Sequence, residues 1–94
     1  MEKIEELIKN GHPTIIDVRT TGEFMGGHVA GSINIPLNEL PARMGEIKGY
    51  TDIVLCCASG GRSAQAQDFL ENNGIECLDG GSWMTVNNLA NNKN

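Results

Sequence analysis

The chain is 94 residues long, 39% apolar but only 4% aromatic, with a formal net charge of −5, which bounds it to one small domain around a modest aliphatic core. The acidic balance and the lack of a basic run exclude nucleic acid as an expected partner, and no stretch is long and apolar enough for a membrane span. Three cysteines, two of them adjacent, are too few for a disulfide framework, and with an acidic, amphipathic start unlike a secretory signal they fit a reduced, cytoplasmic thiol protein.

"EKIEELIKNGH" sets Ile4, Leu7 and Ile8 on one helical face, with Gly11 where a C-cap would sit. "PTIIDVR" is a β-branched run after Pro13 and predicts a strand. "TTGEFMGGH" predicts a helix of one or two turns, N-capped by Thr20 or Thr21, with Glu23 in its first turn and Gly26-Gly27 ending it. "VAGSINIP" is a loop running into a brief strand that Pro36 stops, and "LNELPARMGEIKG" predicts a helix with Pro41 near its first turn. "TDIVLCC" is apolar without alternation, the pattern of a central parallel strand covered on both faces. A helix over "GRSAQAQDFLENNG" follows, with Ala64, Ala66, Phe69 and Leu70 on its apolar face and Gly74 closing it. "IECLD" predicts a strand and "SWMTVNNLANN" a last, weaker helix, so the domain runs over 1–90 and 91–94 form a polar tail. Strands alternating with helices predict an α/β fold with a mostly parallel sheet, whose ligand site lies beyond the carboxyl ends of the strands.

The cysteine pair stands at such an end. In "CCASGGRS" the strand stops and a helix starts within a few small residues. Ala58, Ser59, Gly60 and Gly61 let backbone N–H groups turn inward around one centre, and the glycines accommodate the positive φ such a nest requires. The helix beginning near Arg62 adds its positive end, which would lower a cysteine's pKa from roughly 8.5. Arg62 offers a fork for an oxyanion, or an ion pair with an acidic side chain that braces the loop. Counted from Cys57 the arginine closes C-x4-R; counted from Cys56 it closes C-x5-R followed by Ser63. The first register belongs to sulfur transfer and the second to phosphate ester hydrolysis. A glycine-rich turn around a buried structural cysteine is the plainer alternative.

"IIDVRTTGEFMGGHVAGSINIP" followed by "IVLCCASGGRSAQAQDFLENNGIECLDGGSWMTVNN" resembles a single-domain rhodanese, a sulfurtransferase. Its markers are Asp17-Val18-Arg19, Glu23-Phe24, Gly27-His28-Val29, Gly31, Asn34-Ile35-Pro36, the cysteine loop through Arg62-Ser63, and Gly80-Gly81 with Trp83. The resemblance implies a three-layer domain with four to five short strands flanked by helices. It also settles the register, because "CASGGRS" from Cys57 fits the family loop C-x-x-G-x-R-S. From Cys56 the glycine expected three residues on is Ser59, and Leu55 stands where the phosphatase pattern has histidine. The implied mechanism is a Cys57 persulfide, formed from thiosulfate or a persulfide or polysulfide donor and emptied by a thiol or cyanide-like acceptor. The active-site loop is Ala58, Ser59, Gly60, Gly61, Arg62 and Ser63, and no metal or organic cofactor is needed. A phosphatase or arsenate reductase of the same fold, or a non-catalytic binding module, are the alternatives.

Among the supporting residues, Asp17 either hydrogen-bonds near the loop or joins Arg19 and Glu23 in a bracing ion-pair network, the favoured reading. His28 is expected to hydrogen-bond backbone and order its turn, and it and His12 lack zinc-ligand spacing. Cys56 is expected to pack, Cys77 to be buried on a neighbouring strand, and Trp83 to anchor the last helix. Usual family members begin with a strand before the first helix, whereas this chain opens in "EKIEEL". That points to four strands with an edge uncovered and to a monomer or weak dimer.

Overall fold

A computed structural model describes residues 2–91; the tail expected over 91–94 therefore lies, past Asn91, outside the described residues. The elements are α1 (Glu2–Asn10), β1 (Thr14–Asp17), α2 (Thr21–Met25), β2 (Ile33–Asn34), two 3₁₀ turns (Leu37–Glu39 and Pro41–Arg43), α3 (Met44–Ile47), β3 (Ile53–Cys57), α4 (Gly61–Asn72), β4 (Cys77–Ser82) and α5 (Trp83–Asn91). The four strands form one sheet in the order β2-β1-β3-β4, and every pair is parallel. The expected α/β architecture is thus present, with four strands and β2 and β4 at the edges.

Helices cover both faces, each over its own apolar cluster. On one side Ile16, Leu55 and Cys57 meet Ile35, Leu40, Ile47, Ala66 and Leu70. On the other, Val54 and Cys56 meet Ile4 and Ile8 of α1, Val29, and Val86 of α5. Every residue of β3 is buried, which is why that run carries no polar alternation. Neighbouring strand residues point to opposite faces. Cys56 therefore belongs to the α1/α5 side and Cys57 to the α4 side. The sequence pair is a pair in name only.

Two expectations are corrected. The single helix predicted over 37–49 is two 3₁₀ turns and one short α-helix, because Pro41 has no amide hydrogen and an α ladder cannot run through it. The last strand does not stop at Asp79 but continues through Gly80 and Gly81 to Ser82. Gly80 is a packing residue: a Cβ there would lie 2.8 Å from Val86 Cγ2 and 2.9 Å from the Leu55 carbonyl oxygen. Gly81 takes φ +75°, and the β3–β4 register shifts between Leu55 and Cys57 so that Ser82 comes opposite Cys57. Among the described residues no helix is long and apolar enough to cross a membrane.

Candidate functional site

β3 ends at Cys57 because the chain then turns through Gly60, whose φ of +107° a residue with a side chain rarely adopts. The turn brings the start of α4 back over the sulfur. The Gly60 N–H donates to Cys57 Sγ at 2.9 Å, and the Ser63 Oγ lies 3.5 Å from the same atom. Burial pushes the Cys57 thiol up, but the Ser63 hydroxyl and the amides of Ser63, Gly60 and Ser59 outweigh it and draw the thiol below its ordinary range. In the neutral form the thiol donates to Ser63 Oγ while the Ser63 hydroxyl donates to the Gly60 carbonyl at 3.1 Å. Once the thiol ionises, that hydroxyl hydrogen can turn to the sulfur. The positive end of α4 acts in the same direction.

The other two cysteines are set in the opposite sense. Burial, with Asp17 adding to it, pushes the Cys56 thiol up to about 12, and burial takes Cys77 to about 11. Exposure does not separate the adjacent pair, since Cys56 is 0% and Cys57 1% exposed; Cys57 closes the strand but does not open to solvent. The face of the sheet separates them. Cys77 is opposite Ile53, so it lies four strand positions, roughly 13 Å, below Cys57. It cannot resolve a Cys57 intermediate from there. All three thiols are free.

Arg62 is engaged by a carboxylate. Its two terminal nitrogens donate to Glu23, at 2.7 Å to Oε1 and 3.0 Å to Oε2. Glu23 also accepts from the Thr20 N–H at 3.0 Å, within a capping box that starts α2 at the N-cap Thr20. The Arg62 guanidinium, then the Thr20 amide, hold the Glu23 carboxyl down at about 2. One short helix is thereby fixed at its start and tied to the cysteine loop by the same side chain.

Glu23 therefore leaves the network expected for Asp17 and Arg19, which is a correction. Asp17 and Arg19 form a closed pair of their own, Nε to Oδ1 at 2.9 Å and a terminal nitrogen to Oδ2 at 2.7 Å. Both residues are buried. Arg19 also donates to the Gly27 carbonyl at 2.7 Å and lies 4.8 Å from the Trp83 ring centroid. This assembly braces the turn from β1 into α2 and links it to α5. His28 stacks on Phe24 with ring centroids 3.7 Å apart, and its Nδ1 is 2.8 Å from the Phe24 carbonyl oxygen. It serves the turn after α2.

Sequence reasoning missed Asn34 as a structural clamp. Its side-chain amide donates to the carbonyls of Asp17 and Arg19, both at 3.0 Å, and so holds the end of β1. The available signal was an asparagine in a two-residue strand, where a β-branched residue is the usual choice. Among the described residues no cluster of His, Cys, Asp and Glu could hold a metal. A groove of about 620 Å³ lies at the other end of the sheet, between α1 and the start of β4, and touches no residue of the cysteine loop.

Comparison with known proteins agrees with this geometry. The family model described as "Rhodanese-like domain" matches residues 1–83. The YqhL protein of Bacillus subtilis (strain 168) is 43% identical over 60 residues, which are 64% of this chain and 48% of that one. A protein of Allochromatium vinosum named "Sulfurtransferase" is 37% identical over 60 residues, 64% of this chain and 56% of that one. The chain thus spans about half the length of these curated relatives. The crystal structure of a rhodanese-related protein from Thermoplasma volcanium superposes with a TM-score of 0.75 at 34% identity, covering 88% of this chain and 81% of that one. With a four-stranded parallel sheet, a cysteine at the end of a central strand and a nest of amides around its sulfur, the chain belongs to the rhodanese-like domain family.

Proposed function

We propose that the protein is a cytoplasmic sulfurtransferase that moves a sulfane sulfur from thiosulfate, or from a persulfide or polysulfide donor, to a thiophilic acceptor. The observation that carries this reading is the setting of Cys57 Sγ, which accepts from the Gly60 N–H at 2.9 Å and lies 3.5 Å from the Ser63 Oγ. That setting favours a thiolate, the nucleophile that attack on a sulfane sulfur needs. With thiosulfate, the Cys57 thiolate attacks the outer sulfur, the S–S bond breaks, and sulfite leaves with the electron pair while Cys57 keeps a persulfide. An acceptor thiolate or cyanide then takes the outer sulfur and returns the Cys57 thiolate. The loop amides stabilise the anionic sulfur in both half-reactions, and no metal or organic cofactor enters either. The relative named a sulfurtransferase supports the same reaction class. Free, unbridged thiols fit a reducing compartment, and an open sheet with β2 and β4 as edge strands is compatible with a monomer or weak dimer.

Phosphate ester hydrolysis from Cys56 is the less favoured chemistry, since that sulfur is on the opposite face of the sheet from α4 and held near 12. Initial rates measured against donor and cyanide together test the proposal. Parallel double-reciprocal lines, with no hydrolysis of an aryl phosphate, are expected. Intersecting lines, or aryl phosphate hydrolysis lost in Cys56→Ser, would overturn it.

A further inference from the structure

The groove of about 620 Å³ at the far end of the sheet shares no residue with the cysteine loop, so whatever it binds is independent of the chemistry at Cys57. Its floor is apolar: Leu7 of α1, Ile53 at the start of β3, and Cys77 and Leu78 at the start of β4. The α1 side is one helical stripe, in which Lys3, Glu6 and Asn10 stand with Leu7. That stripe is about 10 Å long at 1.5 Å of rise per residue, room for about three residues of extended chain. The other side is open sheet, because β4 pairs with β3 alone and no further strand of the described residues covers its outer edge. Such an edge presents backbone N–H and C=O groups that an added strand can use.

The rim is acidic. Glu6, Asp52, Glu71 and Glu76 line it against a single basic residue, Lys3, and all four carboxylates are exposed. None of the four has a cationic partner among the described residues, whereas Glu5, Asp17, Glu23, Glu39 and Glu46 each have one. Their field reaches the floor: burial first, and then Glu71, push the Cys77 thiol up. A second copy of this chain would bring the same carboxylates to the same edge, in a molecule of net charge −5, and like charges set against each other oppose such pairing. A cationic chain meets complementary charge instead. We infer that the groove docks an extended, basic segment of another protein, which adds to the outer edge of β4 with apolar side chains on the Leu7–Leu78 floor and cationic ones at the carboxylate rim. Main-chain hydrogen bonds to β4 would give the contact its direction, and the alternation of a strand would give it its pattern, apolar on one face and basic on the other.

The probe is a capped heptapeptide alternating valine and lysine, titrated into the isotope-labelled protein and followed by its amide resonances. Shifts are expected at Asn10, Leu78 and Asp79 and not at Gly60, with a Kd of about 1 mM or tighter that weakens as salt rises. The same peptide with glutamate for lysine should not bind. Methylating one alternate set of peptide amides should abolish binding and methylating the other should spare it, because an added strand offers β4 only one of its edges. Glu71→Gln combined with Glu76→Gln, both at exposed positions, should weaken the Kd by about fivefold, the scale of two exposed ion pairs. No shift at these amides with millimolar peptide would overturn the inference, as would equal binding of the glutamate peptide or equal tolerance of both methylated sets. So would a dimer in sedimentation velocity that the peptide dissociates, which would make a second copy the occupant.

Discussion

Cys57 and Cys56 are bonded neighbours with opposite chemistry, and the difference arises from which side of one strand each side chain takes. Cys57 faces the amides at the start of α4, whereas Cys56 faces aliphatic carbon. Alkylation mapped by peptide mass should therefore modify Cys57 first, with an acid limb below the ordinary thiol range, while Cys56 and Cys77, near 12 and 11, stay unmodified in the native protein. Ser63→Ala removes one donor to the sulfur; the apparent pKa should rise, and alkylation on the acid limb should slow by about tenfold or more, since a hydrogen bond to a charged group contributes about 1.5 kcal/mol or more. A rate unchanged by Ser63→Ala would mean the amides alone set the thiolate. The Arg62–Glu23 pair has its own pH signature. The Glu23 carboxyl is lowered from 4.5 to about 2 in the folded state, so its contribution to stability is present above pH 4.5 and is lost as pH falls toward 2. Acid unfolding of Glu23→Gln should consequently be less steep across that window than acid unfolding of the wild type.

At the scale of elements, α2 and β4 do more than their length suggests. α2 has five residues, none of them buried, so it is held by its cap and by Arg62, not by a core face. Thr20→Ala should lower stability by about 1 kcal/mol and loosen the cysteine loop with it, seen as faster amide exchange at Gly60. β4 approaches β3 at Gly80, where the neighbours of an added Cβ include backbone and cannot swing away. Gly80→Ala is predicted to cost about 1–3 kcal/mol in thermal or urea unfolding; a neutral result would mean the strands can part at no cost. The central strand, a threonine cap for α2 and the α4 helix were legible because apolar runs, a Thr-Thr start with an acidic first turn and glycine punctuation are local signals, although the choice of Thr20 over Thr21 was not. The end of β4 was not, because a glycine pair reads as a turn unless one knows that Val86 and Leu55 leave no room for a side chain. Nor was the partner of Glu23, which is 39 residues away in sequence.

Taken whole, the molecule is a sheet with a separate small core on each face, and β3 belongs to both. Leu55 is 0% exposed at the centre of that strand; Leu55→Ala should cost about 2–5 kcal/mol, a large share of the roughly 5–15 kcal/mol that hold a domain together. A substitution there should weaken fold and site together, whereas a change at Ser63 should touch chemistry first. The loop motif announced the thiolate nest in sequence, because backbone amides need only small residues and a helix start. The fate of Arg62 was open, since an arginine beside a cysteine suits an anion or a carboxylate equally well until the fold supplies one. The central claim, a persulfide on Cys57, is tested most directly by intact mass of the wild type, Cys56→Ser and Cys57→Ser after brief exposure to thiosulfate and, separately, to a small hydropersulfide. A gain of one sulfur by the wild type and Cys56→Ser, reversed by cyanide and absent from Cys57→Ser, is the predicted result. Sulfur that follows Cys56, or that none of the variants takes up from either donor, would contradict it.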